Sequence, residues 1–341
     1  MKKFLILMII LVVGFTGIYA TDIATMEKSF ATFSEDVSSS LPFSSTIGLN
    51  WSDATVRSLP HFGVGLSVGA VLIPKDAFVA LSNDMGFTLP SEITSSDLGV
   101  PLPVYTLDGR IGGLFLPFDI GVKLGYLPPD ALSGMAMSAD YTLAGFDIRT
   151  PILKQNALLP SIALSVGYNY LNAGVQSPIS TGMGQSIDIS DAFGGSPGDN
   201  VLYFTDPNAR FQMQSNVIDA KLQISKSLLI ITPYFGVGYA YGWSNAGGGV
   251  AGSVLYDSGS GAAAITAADI TAIENAFASA GYSAPTLSAD GFLVSSASTG
   301  GSFRAFGGLS VNLFLLKLDL NAMYNISTNS LGASANVRVA F

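Results

Sequence analysis

One pattern constrains this chain more than any other: apolar residues alternate, over and over, with small or polar ones. Phe62, Val64, Leu66 and Val68 interleave with Gly63, Gly65, Ser67 and Gly69. Ile162, Leu164, Val166, Tyr168 and Tyr170 interleave with Ala163, Ser165, Gly167 and Asn169. Phe235, Val237, Tyr239, Tyr241 and Trp243 do the same with Gly236, Gly238, Ala240 and Gly242. Period-2 runs are strands with one apolar face, and runs of ~9–13 residues match tilted membrane-crossing strands. The chain is 49% hydrophobic and only 11% charged, with mean hydropathy +0.47. That excludes a disordered chain. It also disfavours a soluble domain, which averages about 25% charged residues. Yet beyond residue 20 no apolar run reaches the ~20 positions a spanning helix needs. In lipid every backbone polar group must find an internal partner, so spanning strands have to close. The pattern therefore predicts an all-β fold, a closed antiparallel transmembrane β-barrel.

The N-terminus reads as an export signal over residues 1–20. Lys2 and Lys3 precede an apolar core at 4–15, and Gly17 and Ala20 offer small residues before a cut at Thr21. With no cysteine, neither a lipid anchor nor disulfide staples are expected. The mature chain would carry 13 basic and 24 acidic residues, a net charge of about −11. Such a balance argues against nucleic acid as a partner.

Eleven runs read as strands: about 44–52, 61–72, 104–116, 119–127, 139–150, 160–172, 210–225, 229–243, 302–314, 317–327 and 331–341. Bacterial single-chain barrels normally have an even number. Twelve strands, the twelfth near 201–205, is favoured over ten. Short connections near 116–119, 151, 227 and 315 alternate with long ones at about 73–103, 128–138, 173–209 and 244–302, as periplasmic turns alternate with external loops.

Three helices interrupt the strands. Ile23, Met26, Phe30, Phe33 and Val37 recur at helical spacing, predicting an amphipathic helix within 21–42 that plugs the lumen or lies on the membrane surface. A second is expected near 74–81. The third spans about 267–280, with Thr266 and Asp269 as a capping box and Gly281 at its stop; its apolar residues would fold a lid over the barrel mouth. The barrel itself is assigned to 43–341.

Aligned by their lipid-facing neighbours, four acid–base pairs point inward: Asp108/Arg110, Asp147/Arg149, Asp219/Lys221 and Lys317/Asp319. In each the base lies nearer the periplasm, which suggests an acidic ring over a basic one joined by Lys123 and Arg338. Such charges either fix strand register or form a constriction that selects solutes.

Other signals are weaker. His61, the only histidine, starts a strand; a nucleophile such as Ser67 would have to meet it in register. Gly247, Gly249 and Gly252 have dinucleotide-fingerprint spacing, but no helix follows. Asp188, Asp191, Asp199 and Asp206 lack an EF-hand spacing and read as solvated loop acids rather than a Ca²⁺ site. No enzyme activity, cofactor or metal is expected.

The last residues, Asn336-Val337-Arg338-Val339-Ala340-Phe341, resemble the alternating final strand with terminal aromatic found in bacterial outer-membrane barrels. Leu41-Pro42-Phe43-Ser44-Ser45, Ile47-Gly48-Leu49-Asn50-Trp51, Pro60-His61-Phe62-Gly63, Leu116-Pro117-Phe118-Asp119 and Gly125-Tyr126-Leu127-Pro128 resemble stretches of an uncharacterised family of such barrels. That resemblance implies an outer-membrane location, outer-membrane lipid as surroundings, and recognition of Phe341 by the barrel insertion machinery. It implies no substrate, and no barrel wall stands out as an oligomer interface. The leading expectation is passage of small solutes or small amphipathic molecules across the outer membrane. The alternative is a narrow, filled barrel that acts as a surface-exposed structural or adhesive protein through its long loops.

Overall fold

The computed structural model describes residues 28–29, 32–33, 37, 40–56, 61–76, 79–80, 83, 99–112, 117–129, 138–178, 186–282 and 286–340. Its wall is ten antiparallel strands: β1 (His61–Ile73), β2 (Val100–Gly112), β3 (Asp119–Leu127), β4 (Ser138–Leu153), β5 (Ser161–Pro178), β7 (Val201–Ser225), β8 (Ile231–Asp257), β11 (Gly291–Leu313), β12 (Leu316–Asn325) and β13 (Ser330–Ala340). Three short strands, β6 (Ser186–Asp188), β9 (Ala263–Ala264) and β10 (Thr286–Ser288), decorate one end. Each wall strand pairs with its neighbour in the chain, β13 returns to β1, and β8 pairs with β11 across the lid between them. The sheet has no open edge in its wall, which is what lipid demands.

Alternation sets the two faces. Along β1, His61, Gly63, Gly65 and Ser67 are buried, while Phe62, Val64, Leu66 and Val68 face outward. Exposed Val122, Ile148, Val166, Leu222, Phe235, Leu309, Leu320 and Val337 continue that apolar belt round the barrel. Tyr239, Tyr241 and Trp243 close the belt on β8, with Tyr241 and Trp243 edge-to-face at 5.2 Å. Amphipathic aromatics at such a level form an interfacial girdle.

Ten strands, not twelve, make the wall, and two differences account for the count. Residues 44–52 are not a strand. They comprise the end of helix α1 (Ser40–Ser45) and an irregular segment inside the barrel. Ile47, Leu49 and Trp51 do alternate, but Gly48, Asn50 and Ser52 are buried as well. Among the described residues no wall strand forms a ladder with the segment, which turns through positive φ at Gly48 (85°) and Leu49 (56°). Residues 201–205, in turn, are the start of β7, continuous with it through an irregularity between Thr205 and Asn208.

The wall also outgrows its membrane belt. The long connections expected at 173–209 and 244–302 are largely strand: β7, β8 and β11 run 25, 27 and 23 residues. About ten suffice to cross a bilayer. Beyond the girdle the buried apolar residues point inward, among them Phe211, Met213, Val250, Phe292 and Val294. Over this extension lies α2 (Ala267–Ala280), with the expected capping box at Thr266 and Asp269 and a left-handed stop at Gly281. Its buried Ile273 and Phe277 join the same apolar cluster as the extension, and Phe277 meets Phe292 at 6.4 Å. Lys75, Asp76, Val79, Ala80 and Asn83 are helical where the second helix was expected.

Candidate functional site

The lumen is occupied by the chain's own N-terminal segment. Phe33, Val37, Leu41 and Phe43 fill its upper part, with Phe33 edge-on to Phe211 at 5.0 Å. Below α1 the segment continues as irregular chain without a sheet partner among the described residues, so its buried carbonyls need other donors. Wall side chains supply them at alternate residues. Lys123 Nζ donates to the carbonyls of Ser45 and Ile47, both at 2.6 Å, and Lys221 Nζ to that of Leu49 at 3.0 Å. Gln223 Nε2 donates to Trp51 and Ser52, at 2.7 and 3.0 Å, and Arg149 Nη1 to Asp53. The N–H of Leu49 donates in turn to Asp108 at 3.0 Å. Arg338 stacks on the Trp51 ring, its guanidinium carbon 4.7 Å from the centroid, a favourable cation–π geometry. The void left between Thr46, Gly48, Lys123 and Lys221 is about 10 Å³, at the lower limit for one water.

Cations buried this way need anions. Arg110 bridges Asp119 at 2.8 Å and Asp147 at 2.7 Å, and Lys221 meets Asp147 at 3.2 Å. Arg304 clasps Asp219 through both oxygens, at 2.8 and 3.0 Å. Arg149 pairs with Asp119. Asp53, on the plug, binds Lys317 at 2.9 Å and Arg338 at 3.3 Å, and Arg338 also binds Asp319 at 2.7 Å. Gly121 makes one of these bridges passable. It stands opposite both Arg110 and Asp147, and a Cβ there would lie 2.5 Å from Asp147 Oδ1 and 2.8 Å from Arg110 Nη2.

The ten charged residues expected to face the lumen, Asp108, Arg110, Lys123, Asp147, Arg149, Asp219, Lys221, Lys317, Asp319 and Arg338, are all buried there. Their pairing differs from the expected one. None of the four i, i+2 pairs forms a salt bridge within its own strand; residues two apart share a face about 6.6 Å apart, and each charge has a partner elsewhere. Partners lie across strands or on the plug; Asp108 instead accepts from Ser67 at 2.6 Å and Thr106 at 2.7 Å. Nor are there separate acidic and basic rings, since Asp53 and Asp119 sit among Arg110, Arg149, Lys317 and Arg338. Asp53, Asp119, Gln223 and Arg304 escaped the sequence reading. Asp119 and Arg304 held inward register in strands correctly placed and were legible; Asp53 was hidden by reading its segment as wall. Of the plug-helix residues, Phe33 and Val37 are buried in the lumen, while Ile23, Met26 and Phe30 lie outside the described residues, as do the signal segment and Phe341.

His61 is buried at the start of β1, and Ser67 lies six residues on in the same strand, engaged with Asp108 and Asn336 rather than with His61. Gly247 and Gly249 lie within β8, with no helix after them. Asp188 accepts from the Ser190 hydroxyl and from the N–H groups of Ser190 and Gly198. Burial opposes its ionised form, but these donors outweigh it and hold the carboxyl below its ordinary range. Among the described residues no three His, Asp or Glu side chains gather as metal ligands.

Solved structures with a similar outline are outer-membrane proteins. The outer membrane protease OmpT from Escherichia coli is 9% identical, with 84% of this chain and 99% of that one covered and a TM-score of 0.35. The translocator domain of the autotransporter NalP from Neisseria meningitidis is 8% identical (84% and 89%, TM-score 0.33). The toluene transporter TbuX from Ralstonia pickettii is 10% identical (94% and 98%, TM-score 0.25). No curated protein matches the sequence. Residues 78–341, well over half the chain, match the model of a family of unknown function, DUF6588, and the chain belongs to that family.

Proposed function

We propose that this protein is an exported outer-membrane barrel, closed by its own N-terminal segment, that displays an ordered platform at the cell surface. The apolar belt and girdle suit outer-membrane lipid, and the terminal Phe341 suits the barrel insertion machinery. The observation that carries the reading is the filled lumen. Residues 40–56 are buried along their length apart from Thr55, which is half-buried, and their carbonyls are bound to wall side chains. Asp53 of the same segment is held by Lys317 and Arg338, and losing one partner of a buried ion pair costs about 3–5 kcal/mol, which favours the closed state. What faces outward is then the extension of β7, β8 and β11 with its lid, a rigid base for contact with other molecules.

Passage of small solutes or small amphipathic molecules is the second reading, and the wall favours it. Gly63, Gly121 and Gly242 abut the plug at Trp51, Leu49 and Pro42, so the wall is thinnest where the plug passes and its departure would widen the lumen there. That reading requires the plug to leave. Single-channel recording in a planar bilayer separates the two. The mature protein is expected to be silent and a variant lacking residues 21–56, verified as folded by heat-modifiable gel migration, to conduct. Steady openings in the intact protein would overturn the closed-barrel reading.

A further inference from the structure

A second concavity lies outside the lumen, on the outer wall just above the girdle. Its floor is Gly247 of β8, where the missing side chain leaves a hollow between Gln212 on one side and Ser295 on the other. Gln214 and Asn245 form its lower rim, and Thr286 overhangs it from β10. The pocket has a volume of about 290 Å³. One residue pair below Asn245 on the same face stands Trp243, 46% exposed. The Tyr168 and Tyr170 hydroxyls reach up from the girdle to Asn216, at 2.6 Å, and Gln214, at 3.0 Å.

Four primary amides, Asn172, Gln212, Gln214 and Asn245, line the pocket beside Thr286, Ser295 and Leu293, with Arg210 and Asp140 flanking them against Gln212 and Asn172. Each amide offers donors and an acceptor, the complement of a sugar's vicinal hydroxyls. An exposed indole gives the apolar C–H face of a pyranose something to stack on. The level matters too, because girdle aromatics sit at the depth of lipid headgroups, and a pocket directly above them meets whatever those headgroups carry. We propose that this pocket binds the saccharide headgroup of a membrane glycolipid of the outer leaflet. The proposal rests on the reading that β7, β8 and β11 stand clear of the bilayer on the cell surface.

The chain has two tryptophans, and Trp51 is buried in the lumen, so Trp243 is the fluorophore that a surface ligand can perturb. Refolded protein would be placed in phosphatidylcholine nanodiscs with or without lipopolysaccharide or digalactosyl diacylglycerol. At least one glycolipid is expected to shift the emission saturably, and Trp243→Phe should abolish the shift. Combined Gln212→Ala, Gln214→Ala and Asn245→Ala should weaken binding at least tenfold, as should Ser295→Phe, which fills the hollow. These side chains point away from the core, so gel migration should report intact barrels. No saturable shift with either glycolipid, or unchanged binding in both variants, would overturn the proposal. Equal affinity for the free oligosaccharide cut from the same lipid would overturn the headgroup assignment. Channel recording reads the lumen alone, so failure of the closed-barrel reading would show there and not in this signal.

Discussion

The two halves of the lumen solve one problem by opposite means. Toward the end where the short turns and the β13 terminus lie, the wall presents lysines, arginines and aspartates; toward the lid it presents Val250, Phe211, Met213 and Phe292. The plug explains the difference. Above, it is helical and satisfies its own backbone, so the wall opposite is free to be apolar. Below, it is neither helix nor paired strand among the described residues, and each buried carbonyl requires a donor from the wall. Lys123, Lys221, Gln223 and Arg149 are those donors. Once cations are buried, Asp53, Asp119 and Asp147 follow to neutralise them. The charge network is thus a consequence of the plug's secondary structure. A filter for ions needs charges free to meet solute, whereas these are bound to one another and to the plug.

The sharpest way to break this comparison is at Asp53. Asp53→Ala removes the Lys317 partner and one partner of Arg338. Leaving buried charge uncompensated should destabilise the barrel by about 3–5 kcal/mol in urea unfolding of the refolded protein. Adding Lys317→Met should recover part of that loss. A change below about 1 kcal/mol would mean that the lower lumen is wet and the plug loosely held.

The upper half should respond differently. Phe277→Ala empties a fully buried position between α2 and Phe292. Its cost is about 3 kcal/mol, the low end for such truncations because a lid can relax or open. The loss should appear as faster hydrogen exchange across 267–280, with barrel unfolding nearly unchanged. Coupled loss in both would show that lid and wall are one cooperative unit.

What was legible in the sequence follows the same division. All ten wall strands are visible wherever one face meets lipid and the other the lumen, because period-2 alternation is then strong. Above the girdle the outward face becomes largely Asn, Gln, Gly and Ser, and a strand such as 244–257 loses the apolar alternation that marks it. The inward register of Asp108, Arg110, Lys123 and Arg338 was readable from their apolar neighbours. Their partners were not, since cross-strand contacts depend on shear and on where the plug passes. Ile47, Leu49 and Trp51 show the limit most clearly. Their alternation announces extended chain, but nothing local says whether an extended chain is wall or cargo. Helix α2 was legible to the residue, because its cap, its stop and its buried face are all local.

That cap offers the finest test of the lid as an element with its own local stability. Thr266 Oγ1 accepts from the N–H of Asp269 at 3.2 Å, and the Asp269 carboxylate accepts from the Thr266 N–H at 2.9 Å and its hydroxyl at 2.7 Å. Thr266→Ala should cost the helix about 1 kcal/mol. The bond from the Thr266 hydroxyl, followed by that from its N–H, holds the Asp269 carboxyl below its ordinary pKa. A carboxyl lowered in the folded state binds protons more weakly there than in the unfolded chain. Its contribution is therefore complete above the ordinary carboxylate range and is lost as pH falls through the folded value. Hydrogen exchange at the first turn of α2, with rates corrected for the intrinsic pH dependence, should lose protection as pH falls below the ordinary carboxylate range in the native protein. Thr266→Ala should flatten that dependence, while the Asp53–Arg338 half of the lumen, sealed from solvent, shows no change over the same window. A parallel loss of protection in both halves would mean that acid acts on the whole barrel, and the lid would forfeit its standing as a separately stable element.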